Sequence, residues 1–390
     1  MTISGAIVDN LVIGGGLAGS MVATRLAAAG RSVTLLEKER LAHHKICGEF
    51  LSPEAVEYLR QVGVDPIHLG APAVRFVRLS SKQTTIESAL PFTALSLSRL
   101  ALDSAMLARA ERGGCTVMRG VSVEGLTSGG NLWSVRLRDR SSLSARTVFL
   151  ASGKHNLRGW PRSNRGQADL VAFKLHWRLE QAQTEALRDF MELFLFPGGY
   201  GGLSLVEGDV ANLCLVVRQA ILRAVGDWPG LLAFILEDNR LLRQRLKGAN
   251  ALWPRPLALS SIPYGYLSNS PSGLWRIGDQ AAVIPSFTGD GMSIALHSAS
   301  LAAQMYLAGE GPEVFCRKLN KQLRGAMSLA TLLSRTMLSS TGRTLATTTL
   351  SLLPNALRWI AASTRIPEQA RLTHSVLGTL PDVRIKTGRP

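Results

Sequence analysis

The chain has 390 residues, 46% of them hydrophobic, which is enough to bury a large core, to form two domains and to exclude a disordered chain. A net charge of +16 and a pI near 10.4 invite anionic partners, yet Arg and Lys are scattered without a basic run and no nucleic-acid module stands out, so nucleic acid is not an expected partner. Cys47, Cys115, Cys214 and Cys316 lie far apart with no C-x-x-C pair, which argues against zinc and a disulfide framework and for a reducing cytoplasm.

The N-terminus runs almost directly into a strand, without the basic and apolar stretches of a signal peptide. Val8 to Ile13 reads as that strand, and Gly14-Gly15-Gly16-Leu17-Ala18-Gly19 supplies a G-x-G-x-x-G turn. Ala18, Val22, Leu26 and Ala29 then recur at helical spacing, and Gly30 closes the helix in a left-handed cap. Ser32 to Leu36 is a second strand, ended by Glu37 at roughly the 20-residue offset of an acid that hydrogen-bonds a ribose. Gly14 permits the tight turn, Gly16 lets the backbone approach a pyrophosphate, and Gly19 lets helix and sheet lie close. The helix N-terminus adds unpaired N–H groups and a positive dipole end, so the whole unit predicts an adenine dinucleotide.

After Lys38, two adjacent histidines, His43 and His44, point different ways on any regular element, so no metal site is expected. Pro53 opens a helix that ends at Gly63, and residues 72 to 97 alternate as strands. Ser98 caps a helix running to Gly113, and strands follow to Ala151-Ser152-Gly153, a small-residue turn that would let a cofactor approach. From Asp169 to Pro263 the pattern becomes a sheet-based block. There His176 sits on the polar face of its strand and is expected to be solvated, Glu192 to Leu205 forms two strands around a glycine turn, and residues 229 to 248 form one helix. A strand ends at Gly278-Asp279, a long helix starts near Gly289, and the chain beyond Glu313 is helical and basic, with Leu329, Leu332, Leu333 and Met337 on one face. Its longest charge-free piece, Thr344 to Leu357, is 14 residues long, too short to span a bilayer. Those helices would pack on the body, roof an apolar pocket, or make peripheral membrane contact.

Three separated segments, Asp9 through Glu37, Arg99-x-x-Leu102-Asp103 and Gly278-Asp279-x-Ala281-x-x-x-Pro285-x-x-Gly289-x-Gly291, resemble the FAD-binding signatures of the para-hydroxybenzoate hydroxylase and geranylgeranyl reductase superfamily. The resemblance covers most of residues 7 to 310 and implies FAD, with NAD(P)H as electron donor. By that similarity Gly14, Gly16, Gly19, Glu37 and Lys38 bind the adenosine half, Arg99 lies along the cofactor, and Gly278 and Asp279 meet the ribityl or pyrophosphate region. Pro285, Gly289, Gly291 and Met292 place a helix N-terminus against the flavin pyrimidine. Gln280-Ala281 replaces the usual Ala-His, and Ala151-Ser152-Gly153-Lys154 replaces an Asp-Gly turn, a departure that weakens the case for NAD(P)H recognition. Cys47-Gly48 is similar to the Cys-Gly stretch of the geranylgeranyl reductase branch, where the cysteine lies near flavin and substrate. The halogenase stretch W-x-W-x-I-P is absent.

The expected fold is α/β (α+β), with a Rossmann-like FAD-binding domain (residues 1–70, 93–155 and 265–312), an inserted mixed-sheet substrate domain (71–92 and 156–264) and a helical C-terminal region (313–390). The expected function is NAD(P)H-dependent hydroxylation of a lipophilic or aromatic small molecule, carried on an acidic carrier protein or free. Reduction of a carbon–carbon double bond is the alternative, and a non-catalytic flavin protein is a third reading. Both chemistries need a water-poor pocket over the ring. Trp177, Phe194, Phe196 and Tyr200 are its apolar candidates, with Tyr200 and Cys47 as the catalytic ones.

Overall fold

The structure is a computed structural model that describes residues 5–162, 169–269, 273–353 and 355–372. Its first unit is strand β1 (Ile7–Ile13), helix α1 (Leu17–Ala28) and strand β2 (Val33–Glu37). The two strands run parallel, with Asn10 opposite Val33 and Ile13 opposite Leu36. Leu11, Val12 and Ile13 are buried because β1 lies in the middle of the sheet with side chains covered on both faces. Gly30, with φ +73°, ends the α1 turn in the left-handed region.

The chain then leaves this sheet through β3 (Phe50–Leu51), α2 (Pro53–Gln61), β4 (Ala73–Ser81) and β5 (Thr84–Ser96). It returns by α3 (Arg99–Arg112), β6 (Thr116–Arg119), β7 (Val123–Gly129), β8 (Leu132–Leu137) and β9 (Ser142–Leu150). The Ser98 hydroxyl accepts from the Ala101 N–H and starts α3 as the sequence foretells. The sheet order is β6-β2-β1-β9-β8-β7; the first four strands are parallel, and β8 and β7 form an antiparallel meander.

The inserted block comprises β10 (Leu170–Arg178), α4 (Gln181–Leu187), β11 (Asp189–Phe196), β12 (Gly199–Val206), β13 (Val210–Arg218), α5 (Gln219–Val225), α6 (Trp228–Asp238), α7 (Arg240–Leu246), β14 (Asn250–Ala251) and β15 (Leu257–Ser260). Its strands join β3, β4 and β5 in a nine-stranded sheet of order β14-β10-β13-β12-β11-β4-β5-β3, with β15 also paired to β10. The single helix expected over 229–248 is two. Asn239 breaks it with an extended backbone and caps α7 by accepting from the Leu242 N–H. An amide side chain that competes for backbone donors favours such a cap over a helix interior.

The remaining elements are β16 (Tyr266–Leu267), β17 (Trp275–Arg276), β18 (Ala282–Val283), α8 (Gly291–Leu307), α9 (Pro312–Leu338), α10 (Ser340–Leu352) and α11 (Asn355–Ser363). β17 adds a parallel strand beside β9, then stops before Gly278, so Gly278–Gln280 is a 3-10 turn instead of the strand end expected there. One face of the nine-stranded sheet packs on α5, α6 and α7, and the other packs on α9, α10 and α11. Leu332 does not share the buried face of α9 expected for it. It is 63% exposed, and Leu323, Met327, Ala330, Ser334 and Met337 point inward. The molecule is thus an α/β fold whose Rossmann-like sheet carries an inserted mixed sheet and a helical C-terminal region.

Candidate functional site

The turn after β1 is built for backbone proximity. Gly14 has φ +106°, and a Cβ there would lie 2.5 Å from the Ala151 carbonyl oxygen. A Cβ on Gly19 would lie 1.8 Å from the Gly14 oxygen, so helix and strand meet at a distance only glycine allows. Gly16 differs: its Cβ would meet nothing nearer than Lys45 Nζ at 3.5 Å and Arg99 Nη2 at 3.6 Å. The space beside Gly16 is therefore an opening at the start of α1, faced by two cations and by a helix end with no side-chain cap. Such a cradle fits a doubly charged pyrophosphate. Glu37, buried at the end of β2, accepts from the Gly15 N–H at 2.7 Å and from the Glu39 N–H at 3.0 Å, which fixes a carboxylate beside the turn where a ribose would lie. Lys38, next in the chain, is about half exposed and 3.6 Å from Glu39.

Arg99 pairs with Asp103 through two hydrogen bonds of 2.9 Å, and Lys45 reaches the same carboxylate at 2.7 Å. Although burial opposes it, Arg99 and Lys45 hold the Asp103 carboxyl below its usual range, so two cations share one anion and carry surplus positive charge toward Gly16. Gly278 lies against α1, with a Cβ 3.0 Å from that of Ala18, and its N–H donates to Ser298. Asp279 is half-buried and lies in the electrostatic range of Arg99, so the first, second and third signature segments converge. Arg162, which sequence reasoning passed over, donates to the Asp279 and Lys154 carbonyls and to Asn156, and Gln280 donates to the Gly153 and His155 carbonyls. These bonds tie the 151–162 loop to the third segment.

Pro285 precedes a 3-10 turn that ends in Gly289 at φ +74°, where a Cβ would strike Phe50 at 2.8 Å. A Cβ on Gly291 would touch nothing within 4 Å, so the N-terminus of α8 opens onto unfilled space, as a flavin edge requires. Met292 faces the core instead, 4% exposed. Asp290 was not foreseen as a site residue. Burial pushes its carboxyl up to about 6, with Arg365 Nη1 pulling the other way from 2.8 Å. Arg365 also donates to the Thr288 carbonyl, so the C-terminal region clamps this turn.

Cys47 is half-buried beside the sheet of the inserted block. The Glu49 N–H donates to its sulfur at 3.4 Å and the Asn212 amide donates to its carbonyl. Glu49 is the hub. It is fully buried with φ +59°, its Oε1 takes the Lys174 ammonium and the Arg99 N–H, and its Oε2 accepts from His176 Nε2 at 2.9 Å. Burial alone would raise the Glu49 carboxyl, but the His176 hydrogen bond and the Lys174 charge outweigh it and hold it below the usual range. The solvated His176 expected from sequence is therefore corrected: it is 3% exposed. Alternation placed it on the polar face correctly, but that face is covered by residues 44–49, a packing no local pattern reports. His44 meets His176 edge-on, with its own pKa lowered to about 4 by burial and the neighbouring Lys174 and His176. Among the described residues, His44, Glu49 and His176 form a compact His-Glu-His group, but Lys174 already occupies the carboxylate.

Tyr200 is buried, with its hydroxyl 3.2 Å from Ser334 and its ring edge-on to Phe287 of the flavin-edge turn. It belongs to the wall behind that turn. Trp177, Phe194 and Phe196 do not join it; they pack on the opposite sheet face against α5, α6 and α7, because the strand pleat sends them there.

Residues 8–151 match the FAD binding domain family. Menaquinone reductase of Mycolicibacterium smegmatis is 24% identical over 327 residues, covering 77% of this chain and 76% of that one. Over its nucleotide-binding residues the chain is thus similar to FAD-dependent oxidoreductases. The chain is also 28% identical over 343 residues to digeranylgeranylglycerophospholipid reductase 1 of Methanothermobacter thermautotrophicus, with 81% of each chain covered. Its fold is shared with the flavin-dependent brominase Bmp2, at TM-score 0.75 and 17% identity over 95% of this chain and 97% of that one.

Proposed function

We propose that this oxidoreductase reduces a carbon–carbon double bond of a lipophilic, isoprenoid-bearing substrate. The reading rests chiefly on the two relatives that match both the nucleotide-binding and the inserted segments, since both are named reductases, of menaquinone and of a digeranylgeranylglycerophospholipid. It reverses the order in which the sequence ranked hydroxylation and reduction. When bound, FAD in its reduced form supplies the hydride. The chain's own part is positioning: Lys45, Arg99 and the α1 N-terminus neutralise the pyrophosphate, Glu37 takes a ribose, and the α8 N-terminus faces the pyrimidine edge, where its dipole favours negative charge. Tyr200, Phe287, Tyr264 and Val283 give an apolar wall roofed by Met337, Leu338 and Leu350, and such a wall excludes water from the transfer. Cys47 borders the substrate side, and NAD(P)H is the proposed donor of electrons.

The test is anaerobic. Photoreduced holoprotein is mixed with a polyprenyl quinone or a geranylgeranyl lipid, and the flavin absorbance is followed. Return of the oxidised spectrum without oxygen, with a product two hydrogens heavier in its chain, is the expected result, and Cys47→Ala is expected to slow it without changing the flavin spectrum. Flavin reoxidation that needs oxygen, with a product one oxygen heavier, overturns reduction in favour of hydroxylation.

A further inference from the structure

The outer surface of the C-terminal helices is unlike the rest of the molecule. Leu332, Leu345, Leu352, Leu353 and Trp359 are 60–77% exposed, and they account for half of the large hydrophobic side chains exposed among the described residues. Leu345 and Leu352 lie two helical turns apart and so share one face of α10. The same helices bury Leu350 and Leu357 in the wall behind the flavin-edge turn, so leucines lie on the inner side while Leu345, Leu352 and Trp359 stand outside among the exposed Thr344, Thr348 and Arg358. Large apolar side chains gathered on one exposed surface mark a contact with a partner or with lipid.

Charge identifies what covers the outer face. From Val314 to Pro367 the chain has eight Arg or Lys and not one Asp or Glu. Arg335 and Arg358 are exposed, the latter adjacent to the exposed Trp359. Farther up α9, Arg317, Asn320, Lys321 and Arg324 recur at helical spacing and line an open cleft of about 460 Å³. Exposed leucines and a tryptophan on a surface whose only charged groups are cations suit a bilayer interface, the apolar side chains among acyl chains and the cations at anionic headgroups. Among the described residues no single helix is long and apolar enough to cross a membrane.

We propose that α9, α10 and α11 dock this oxidoreductase onto an anionic lipid surface through Leu345, Leu352, Leu353 and Trp359, with the α9 cleft receiving phosphate headgroups. The roof of the apolar wall is then the part of the protein nearest the bilayer, and a lipophilic substrate reaches the wall without crossing water.

The experiment is co-sedimentation of the full-length, FAD-loaded protein with phosphatidylcholine vesicles, with and without phosphatidylglycerol. It needs no turnover, so its outcome is independent of the reaction proposed above. Binding is expected to vesicles containing phosphatidylglycerol, to weaken in high salt, and to fall at least about tenfold when Leu345, Leu352, Leu353 and Trp359 are all changed to Gln. Arg335→Glu with Arg358→Glu is expected to abolish the preference for the anionic lipid. All six side chains are exposed, and an unchanged flavin spectrum confirms that each variant is folded. The proposal is overturned by the absence of binding to either vesicle, by equal binding of the four-site Gln variant, or by a dimer in light scattering that the same variant dissolves, since the face would then be an interface between copies.

Discussion

Glu49 carries the sharpest consequences of any single side chain. Its carboxylate is fully buried against Lys174, His176 and the Arg99 N–H, so Glu49→Gln leaves the Lys174 ammonium buried without a counter-charge. Breaking a buried pair on one side costs about 3–5 kcal/mol. Glu49→Gln is expected to cost that much in a denaturant titration, and Glu49→Gln with Lys174→Met is expected to cost less than the sum of the two single changes; simple additivity would show the two groups uncoupled. Tyr200→Phe removes one hydroxyl contact to Ser334 in a packed wall, so a loss of about 1 kcal/mol with flavin reoxidation unchanged is expected. A large loss of turnover would instead make Tyr200 catalytic. His297 gives the pH dependence. It is fully buried between the Tyr58 hydroxyl and the Gln322 side chain, and burial lowers its pKa from 6.5 to about 4. Between those values the unfolded chain binds a proton that the folded one refuses, so stability is complete above pH 6.5 and falls as the pH drops toward 4, by up to about 3 kcal/mol. The melting temperature should decline over that window in the wild type and decline less in His297→Gln.

At the scale of elements, the glycine turn separates folding from cofactor binding. Gly19→Ala places a Cβ 1.8 Å from the Gly14 oxygen and is expected to unfold the β1–α1 unit. Gly16→Ala meets side-chain nitrogens only at 3.5 and 3.6 Å, so the protein should fold normally yet bind FAD roughly 100-fold more weakly, because the methyl fills the opening beside Lys45 and Arg99. Equal affinity of Gly16→Ala and wild type, by fluorescence titration, would place the pyrophosphate elsewhere. This unit was also the most legible part of the sequence, because strand, turn, helix and acid are local features with fixed offsets. The Asn239 break was less so, since one amide decided it. What escaped was long-range: Lys174 meeting Glu49, Arg162 meeting the Asp279 carbonyl, and Arg365 meeting Asp290 each join segments far apart in sequence. A period-2 pattern tells which face His176 shares with Lys174 and cannot tell that residues 44–49 lie over that face.

For the molecule as a whole, the convergence of three segments on one opening makes the cofactor the element on which every assigned role depends. The nucleotide sheet supplies Glu37 and the turn, α3 supplies Arg99, and the third segment closes the far end with the α8 N-terminus, itself clamped from the C-terminal region by Arg365. The excess positive charge is also uneven at this scale, since the acid-free stretch from Val314 to Pro367 packs on the nucleotide-binding core through Phe315, Leu319 and Leu323 and roofs the apolar wall through Met337, Leu338, Leu350 and Leu357. The most direct measurement is an equilibrium titration of the purified, cofactor-stripped protein with FAD and, separately, with NAD, read by flavin fluorescence and calorimetry. Saturable binding of FAD with a yellow product and no binding of NAD is the expected result. A protein that takes up NAD in preference, or that binds neither, contradicts the assignment of Gly16, Arg99 and the α8 N-terminus to a flavin dinucleotide.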